Sequence, residues 1–143
     1  MSLEGRGGLY FLPTGVTMNA DRYITVLKDK LEPHFSIHGC NLLMQDGAPC
    51  HNAKKVSLWL RENGTMTLEW PGNSPDLNPL ENCWKKLKYL VAKRQSRNYL
   101  HLIEIIKEIW CQEISADYCK TLVKSMPSRI KAVIKANGGH SKY

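Results

Sequence analysis

Two acidic residues, Asp46 and Glu81, have the types and the spacing of ligands that could share divalent metal ions. Thirty-four residues separate them. Asp46 closes a mostly apolar run, residues 41–46, as expected at the end of a strand, and Glu81 follows a loop of turn-forming residues, 71–78. Carboxylates suit Mg²⁺ or Mn²⁺ because these hard ions prefer oxygen ligands. Metal sites of this kind cleave and join phosphodiester backbones.

The segments around the two acids resemble the catalytic segments of mariner-superfamily DNA transposases. Residues 45–51 read QDGAPCH, and residues 74–81 read SPDLNPLE. The match is to the branch that ends its acidic triad in Glu after a gap of thirty-four residues. It runs from about Gly5 to the last residue, Tyr143, and Gly47 stands where the family usually has Asn.

The resemblance implies that Asp46 is the second and Glu81 the third member of a catalytic triad that holds Mg²⁺ or Mn²⁺. The implied parent activity is metal-dependent DNA cleavage and strand transfer, as in cut-and-paste transposition and DNA integration. The family's first catalytic Asp, on an upstream strand, has no match in this sequence. We therefore expect a fragment of a transposase catalytic domain that is inactive alone. The alternative is a domesticated, non-enzymatic DNA-binding or protein-interaction domain.

The order of predicted elements indicates an α/β protein. Apolar runs predict strands at residues 9–12, 42–44 and 65–70, and polar caps predict helices after Asn19 and Asn52. Four more helices are predicted, one starting at Pro79 and the others at 99–114, 115–124 and 127–136. The resemblance implies a truncated RNase H-like fold, with a short mixed sheet flanked by helices and a helical C-terminal part.

Several details of these elements are also predicted. Pro33 should end the first helix, and Gly64 should stop the helix that Asn52 caps. The run 42–44 should be a strand buried on both faces. We expect one domain over residues 1–143, without the fold's first strands and without the family's N-terminal helix-turn-helix region. The four tryptophans fall on apolar stripes and are expected in the core: Trp59, Trp70, Trp84 and Trp110.

Each acid also has a purely structural interpretation. With Asn78 as N-cap, Glu81 occupies the third helical position, where the acid of a capping box stabilises a helix without catalysis. Asp46 before Gly47 could simply start a turn. Asp76 fits an Asx-type turn that directs the next helix better than it fits a metal ligand. The two extended segments and their spacing together favour the metal site for Asp46 and Glu81.

Three further residues are candidate DNA contacts. Lys85 and Lys88 lie four and seven positions after Glu81, so they share its helix face and could contact phosphate beside the metals. The alternative is a solvated helix face on which Lys85 only pairs with Glu81. His51 could reach a phosphate or orient Asp46, and a capping or packing role is equally open.

The cysteines and histidines do not form a recognisable zinc site. The five cysteines are an odd number without C-x-x-C spacing, so a reducing, intracellular location is expected, and the nucleus for a DNA partner. His34 and His38, at i and i+4, would face one way on a helix near Cys40. Because no second cysteine pair completes a zinc set, we prefer ordinary polar residues at a helix end.

The charge is unevenly distributed along the chain. Residues 1–81 carry a net charge of −2, and residues 82–143 carry +9. A basic half beside an acidic cluster fits a non-specific phosphate-backbone partner, and a solvated basic surface is the alternative. No apolar run approaches about 18 residues, so no membrane partner is expected. A truncated sheet exposes an edge, which a homodimer could cover.

Overall fold

The structure, a computed structural model, describes residues 1–71, 74–139 and 141. The chain divides into two compact units. Gly7–Asn73 form the first, which we call the N-terminal unit. Met1–Arg6 and Ser74–Tyr143 form the second, the C-terminal unit. The expectation of a single domain stays a prediction, and each unit is described by itself.

The N-terminal unit contains a β-α-β arrangement preceded by a long helix. Its elements are α1 Ala20–Val26, a π-helical segment Leu27–Leu31, α2 Glu32–His38, β1 Leu42–Leu43, α3 Lys54–Glu62 and β2 Met66–Thr67. The two strands pair in parallel, with Leu42 opposite Met66 and Leu43 opposite Thr67. Within the described ranges no antiparallel strand joins this sheet, which was expected to be mixed.

Pro33 does not end the first helix, contrary to the prediction. The helix continues through it, and the π-helical turn Leu27–Leu31 lies directly before it. The N–H of Glu32 donates to the carbonyl of Leu27, five residues back. Because proline lacks an N–H and its ring crowds the carbonyl four residues earlier, a widened turn can accommodate it. The helix ends instead at Gly39, whose φ of 61° is left-handed.

The strands are shorter and more exposed than predicted. Residues 9–12 form no strand, since strand composition alone does not make the regular hydrogen-bonded ladder that defines one. The run 42–44 is not buried on both faces, since Leu42 is 53% exposed. Met66, its partner, is 54% exposed. Apolar composition therefore predicted the position of β1, but not which of its two faces is buried.

The core of the N-terminal unit lies between the first helix and α3. Its buried side chains are Ile24, Leu27, Val56 and Leu60. Trp59 and Leu43 pack against this cluster, so α3 and β1 are held to the first helix. Each such aliphatic side chain contributes about 1.5–3 kcal/mol when fully buried. This packing holds in place the loop that follows β1.

One of the two predicted helix caps in this unit is confirmed. Asn19 caps α1, because its side chain accepts a hydrogen bond of 2.9 Å from the N–H of Arg22. Asn52 does not cap α3, and the residue before that helix is Ala53. The amide of Asn52 instead donates to the carbonyl of Gly47 at 3.1 Å. This hydrogen bond joins the two ends of the loop after β1. The sequence pattern of a helix cap does not predict it.

The C-terminal unit is helical, as predicted. Its helices are α4 Leu80–Arg94, α5 Tyr99–Gln112, α6 Ala116–Lys124 and α7 Met126–Lys135. Leu87, Ile105 and Ile109 form a buried cluster between α4 and α5. Trp84 is partly buried against this cluster and stacks on Trp110 with ring centroids 5.9 Å apart, and Trp110 is a core residue as predicted. None of the described helices is long and apolar enough to span a bilayer.

The end of α3 provides a test of backbone conformation. Gly64 stops the helix as predicted, with φ of 64° and its N–H bonded to the carbonyl of Arg61. We expect Gly64→Ala to lower the free energy of unfolding by about 1 kcal/mol, because a side chain disfavours left-handed backbone. Urea unfolding followed by tryptophan fluorescence measures it. Gly47→Ala is the control, since Gly47 has no positive φ. Equal losses in the two variants would contradict the argument.

Candidate functional site

Asp46 lies in the loop just beyond β1, and its two carboxylate oxygens have different surroundings. Oδ1 accepts a hydrogen bond of 3.1 Å from the N–H of Ala48, so Asp46 does start a turn. The side chain is exposed, and in the described part of the chain no group donates to Oδ2. The turn role and a ligand role therefore use different oxygens and do not exclude each other.

His51 lies against Asp46 and faces inward. Its Nδ1 is 2.7 Å from Asp46 Oδ1, and its ring lies on that of Tyr23 with centroids 4.1 Å apart. Nδ1 is buried and makes no hydrogen bond of acceptable geometry, so the contact with Asp46 is a close polar approach rather than an aligned hydrogen bond. Of the roles left open by the sequence, this geometry supports packing and orientation of Asp46.

A polar network behind His51 holds the loop in place. The hydroxyl of Tyr23 donates to Gln45 Oε1 at 2.9 Å, and Gln45 Nε2 donates to the carbonyl of His51 at 3.5 Å. Burial, with smaller contributions from the nearby Cys50 and Asp46, raises the pKa of Tyr23 to about 12. Tyr23 therefore remains a neutral donor. No sequence pattern signals this network.

Glu81 occupies the first turn of α4, and its carboxylate takes no part in capping. Asn78 is not the N-cap as predicted: that position is Pro79, so Glu81 is the second helical residue, and Asn78 Oδ1 accepts from the N–H of Leu80 at 3.0 Å. The N–H of Asn78, however, donates to the carbonyl of Pro75 at 3.1 Å. The reciprocal half of a capping box is therefore absent. Among the described residues no group donates to the half-buried Glu81 carboxylate, which leaves it free to bind a cation.

The three lysines that follow Glu81 on α4 differ in their environment. Lys85 and Lys88 are exposed, and neither forms an ion pair with any acid in the described part of the chain. The suggested pairing of Lys85 with Glu81 is therefore not formed. Lys86, by contrast, donates to the carbonyl of Glu113 at 2.6 Å. The lysines that the sequence selected as phosphate contacts are the ones available to a partner.

A buried arginine that sequence reasoning missed joins α7 to the start of α4. Arg129 is only 2% exposed. Its Nη1 donates to the carbonyl of Asp76 at 2.7 Å, its Nη2 to Asn82 Oδ1 at 2.7 Å, and its Nε to Ser125 Oγ at 2.8 Å. Because Asn82 directly follows Glu81, this clamp constrains the turn that carries the carboxylate. An arginine in a basic helix carries no sequence signal for such a role.

Asp76 has a structural role in the same loop. Its Oδ1 accepts from the N–H of Leu77 at 3.1 Å, and its Oδ2 accepts from the N–H of Ser141 at 3.0 Å. The hydrogen bonds from Ser141 are the main cause that lowers the pKa of Asp76. Both oxygens are occupied by backbone donors, which agrees with a loop-shaping acid rather than a metal ligand.

The histidine pair near the end of α2 faces one way, as its spacing predicts. The rings of His34 and His38 lie edge to face with centroids 4.6 Å apart. The thiol of Cys40 donates to the carbonyl of His38 at 3.6 Å. Within residues 1–71, 74–139 and 141, no three His, Cys, Asp or Glu side chains are grouped so that they could hold a metal ion.

Asp46 and Glu81 belong to different units, so each has been described in its own surroundings. Both fit a hard cation, because each has carboxylate oxygen that receives no hydrogen bond from the described residues. Their common metal site stays a prediction.

Comparisons with known proteins agree with the family suggested by the two acidic segments. A family model described as DDE superfamily endonuclease matches residues 1–103. The Tcb1 transposable element transposase of Caenorhabditis briggsae is 33% identical over 127 residues, which are 86% of this chain and 46% of that protein. The chain therefore spans about half the length of this relative.

Solved structures show the same fold. The Mos1 transposase catalytic domain, solved with raltegravir and Mg, matches with a TM-score of 0.88 and 20% identity, over 99% of this chain and 74% of that one. The Mos1 strand transfer complex matches with a TM-score of 0.86 and 20% identity, over 98% of this chain and 42% of that one. The predicted RNase H-like fold is confirmed.

The Arg129 clamp provides a test of stability. We expect Arg129→Met to lower the free energy of unfolding by about 3 kcal/mol, because it leaves the Asp76 carbonyl and the Asn82 amide without their donor. Denaturant unfolding followed by circular dichroism measures the loss.

The matched control is Arg94→Met. Arg94 pairs with Glu108 at 2.9 Å and Glu113 at 3.7 Å at the surface of the same unit. Exposed pairs contribute little, so the control should lose less than about 1 kcal/mol. Similar losses in the two variants would show that the clamp does not hold the loop.

Proposed function

The chain belongs to the DDE superfamily endonucleases, and from this premise we propose that it is part of a transposase catalytic domain. The parent activity would be metal-dependent DNA cleavage and strand transfer. The observation that carries the proposal is the state of two carboxylates in the matched segments. Among the described residues no group donates to Asp46 Oδ2 or to the Glu81 carboxylate, although Asp46 Oδ1 also starts a turn.

Asp46 and Glu81 would hold Mg²⁺ or Mn²⁺ through these oxygens. When bound, such ions activate a water or 3′ hydroxyl and stabilise the leaving oxygen of a phosphodiester. His51 keeps Asp46 Oδ1 turned toward the protein, which leaves Oδ2 for the cation. Arg129, through Asn82, restrains the first turn of α4 and hence the direction of Glu81. Misplacement by about 1 Å can reduce such a reaction on the order of 10²-fold, so this restraint matters.

DNA would be bound through its phosphate backbone. Lys85 and Lys88 are exposed, form no ion pair with the described acids and lie on the helix face of Glu81, which is the position for phosphate contacts beside the metals. A phosphate contact from His51 stays a prediction, because its Nδ1 is directed at Asp46. The net charge of +9 in residues 82–143 supports binding that depends on charge rather than on base sequence.

Iron-directed cleavage of the protein backbone tests the metal site without requiring catalysis. Fe²⁺ replaces Mg²⁺ and, with ascorbate and peroxide, generates radicals that cut the chain near the bound ion. We expect cuts close to both Asp46 and Glu81, and excess Mg²⁺ should suppress them. Because the acids would share ions, Asp46→Asn or Glu81→Gln should suppress the cuts in both segments. Mass spectrometry locates the cut positions.

Asp117→Asn is the matched control for this experiment. Asp117 is also an exposed acid in the first turn of a helix, α6, but lies outside the matched segments. It should leave the cuts unchanged. Suppression only in the mutated acid's own segment would show that Asp46 and Glu81 do not share an ion, and unchanged cuts in both variants would remove the metal site altogether.

We also propose that these 143 residues do not cleave DNA by themselves. In-line displacement requires ions fixed about the reacting phosphate, and only two acids of the expected triad match this sequence. Supercoiled plasmid incubated with the chain in Mg²⁺ or Mn²⁺ should remain unnicked, as with Asp46→Ala. Metal-dependent nicking that disappears in Asp46→Ala would overturn this proposal and would also exclude the non-enzymatic alternative.

A further inference from the structure

The exposed face of α4 carries an aromatic ring between two lysines. Lys85, Tyr89 and Lys93 follow one another at intervals of four residues, so they lie along one side of the helix. We call these three residues the α4 strip. Tyr89 is 59% exposed, and both lysines are exposed. The strip begins one turn after Glu81, in the same unit.

A second lysine–tyrosine pair on the same helix shows what is unusual about Tyr89. Lys86 lies over the ring of Tyr118 at 4.4 Å, and the hydroxyl of Tyr118 donates to the carbonyl of Asn82. Both members of that pair are therefore hydrogen-bonded to other parts of the protein. Lys93 lies over the ring of Tyr89 at the same distance of 4.4 Å. The Tyr89 hydroxyl, however, donates to no group in the described part of the chain, and most of its ring remains in solvent.

We propose that the α4 strip binds an unpaired DNA strand, with Tyr89 stacked on a base and Lys85 and Lys93 on the flanking phosphates. This inference rests on the proposed function and names the form of DNA that this surface takes. Aromatic rings that alternate with cations are the usual means of binding single strands, because every base offers a π-face when it is unpaired. In a duplex the base faces are covered by stacking, so Tyr89 would add nothing.

The dimensions of the strip agree with this occupant. Four residues of helix advance by about 6 Å, so Lys85 and Lys93 lie about 12 Å apart along the axis. This length corresponds to a few nucleotides of an extended strand. Because the strip starts one turn from Glu81, a strand lying on it would run toward that carboxylate.

The contact between Lys93 and Tyr89 prepares the ring for a base. An exposed cation–π contact is weak compared with base–aromatic stacking, so an incoming base can displace the ammonium from the ring. The displaced Lys93 is then beside the strand, where a phosphate is its natural partner. The exchange replaces one weak contact with two stronger ones.

Binding of a fluorescent thymidine oligonucleotide tests the strip. Tyr89→Ala should weaken binding at least about fivefold, the lower limit for loss of one stacked base. Tyr89→Phe keeps the ring and should bind within about twofold of the unmodified chain. Tyr99→Ala, at another exposed tyrosine of the same unit, should have no effect. Lys85→Gln and Lys93→Gln should each reduce the salt dependence by about 0.7 in the logarithmic slope.

Two further measurements separate the strip from general basic character. Binding of the corresponding duplex should be unchanged in Tyr89→Ala. A strand that contains 5-iodouracil should photocross-link to Tyr89, as located by mass spectrometry. Unchanged single-strand binding in Tyr89→Ala, an equal loss for the duplex, or cross-links elsewhere would each overturn the inference.

Failure of the strip can be told apart from failure of the proposed function. Tyr89 is no metal ligand, so Tyr89→Ala should leave the iron-directed cuts near Asp46 and Glu81 unchanged. If those cuts occur but the strip does not bind, only this inference is wrong. If Tyr89-dependent strand binding occurs without the cuts, the metal site is wrong and the strip stands.

Discussion

The placement of Glu81 depends on the buried guanidinium of Arg129. A buried cation is unfavourable unless its donors are used, and Arg129 uses Nη1, Nη2 and Nε on groups from the loop before α4, from α4 and from the start of α7. The planar fork of an arginine fixes direction as well as distance, which a lysine would not do. Arg129 therefore restrains the loop and Asn82 on either side of Glu81. It makes none of these hydrogen bonds to the Glu81 carboxylate itself.

Asp46, in the N-terminal unit, is likewise positioned by its neighbours, although by different residues. There the Ala48 N–H donates to Oδ1, the His51 ring lies against the same oxygen, and no described group donates to Oδ2. Tyr23 and Gln45 support His51 from behind. Around both Asp46 and Glu81, neighbouring side chains and backbone groups position the acid, and at most one of its carboxylate oxygens takes part. Such surroundings are what a metal ligand needs, because a carboxylate whose lone pairs are all bonded to protein cannot also bind a cation.

Much of the fold was accessible from local sequence. The four helices of the C-terminal unit begin within one residue of their predicted positions, and the three whose ends were predicted end within two residues, because caps and apolar stripes act locally. The errors come from non-local constraints. Pro33 is tolerated inside a helix because a π turn precedes it, and Asn52 bonds to Gly47 rather than to its own helix. Residues 9–12 have strand composition but lie in no strand, because composition does not by itself produce a regular ladder of backbone hydrogen bonds.

The sequence by itself determined the family, the two acidic segments and the helix face that carries Lys85 and Lys88, because residue types and spacing are local properties. Only the tertiary structure decided which oxygens of Asp46 and Glu81 receive no hydrogen bond from the described residues, since that depends on donors that the fold brings near. It alone distinguished Lys86, which donates to the Glu113 carbonyl, from Lys85 and Lys88, which pair with no described acid. It also revealed Arg129, 48 positions beyond Glu81, because a buried hydrogen-bonded arginine and a solvated one look alike until the chain is packed.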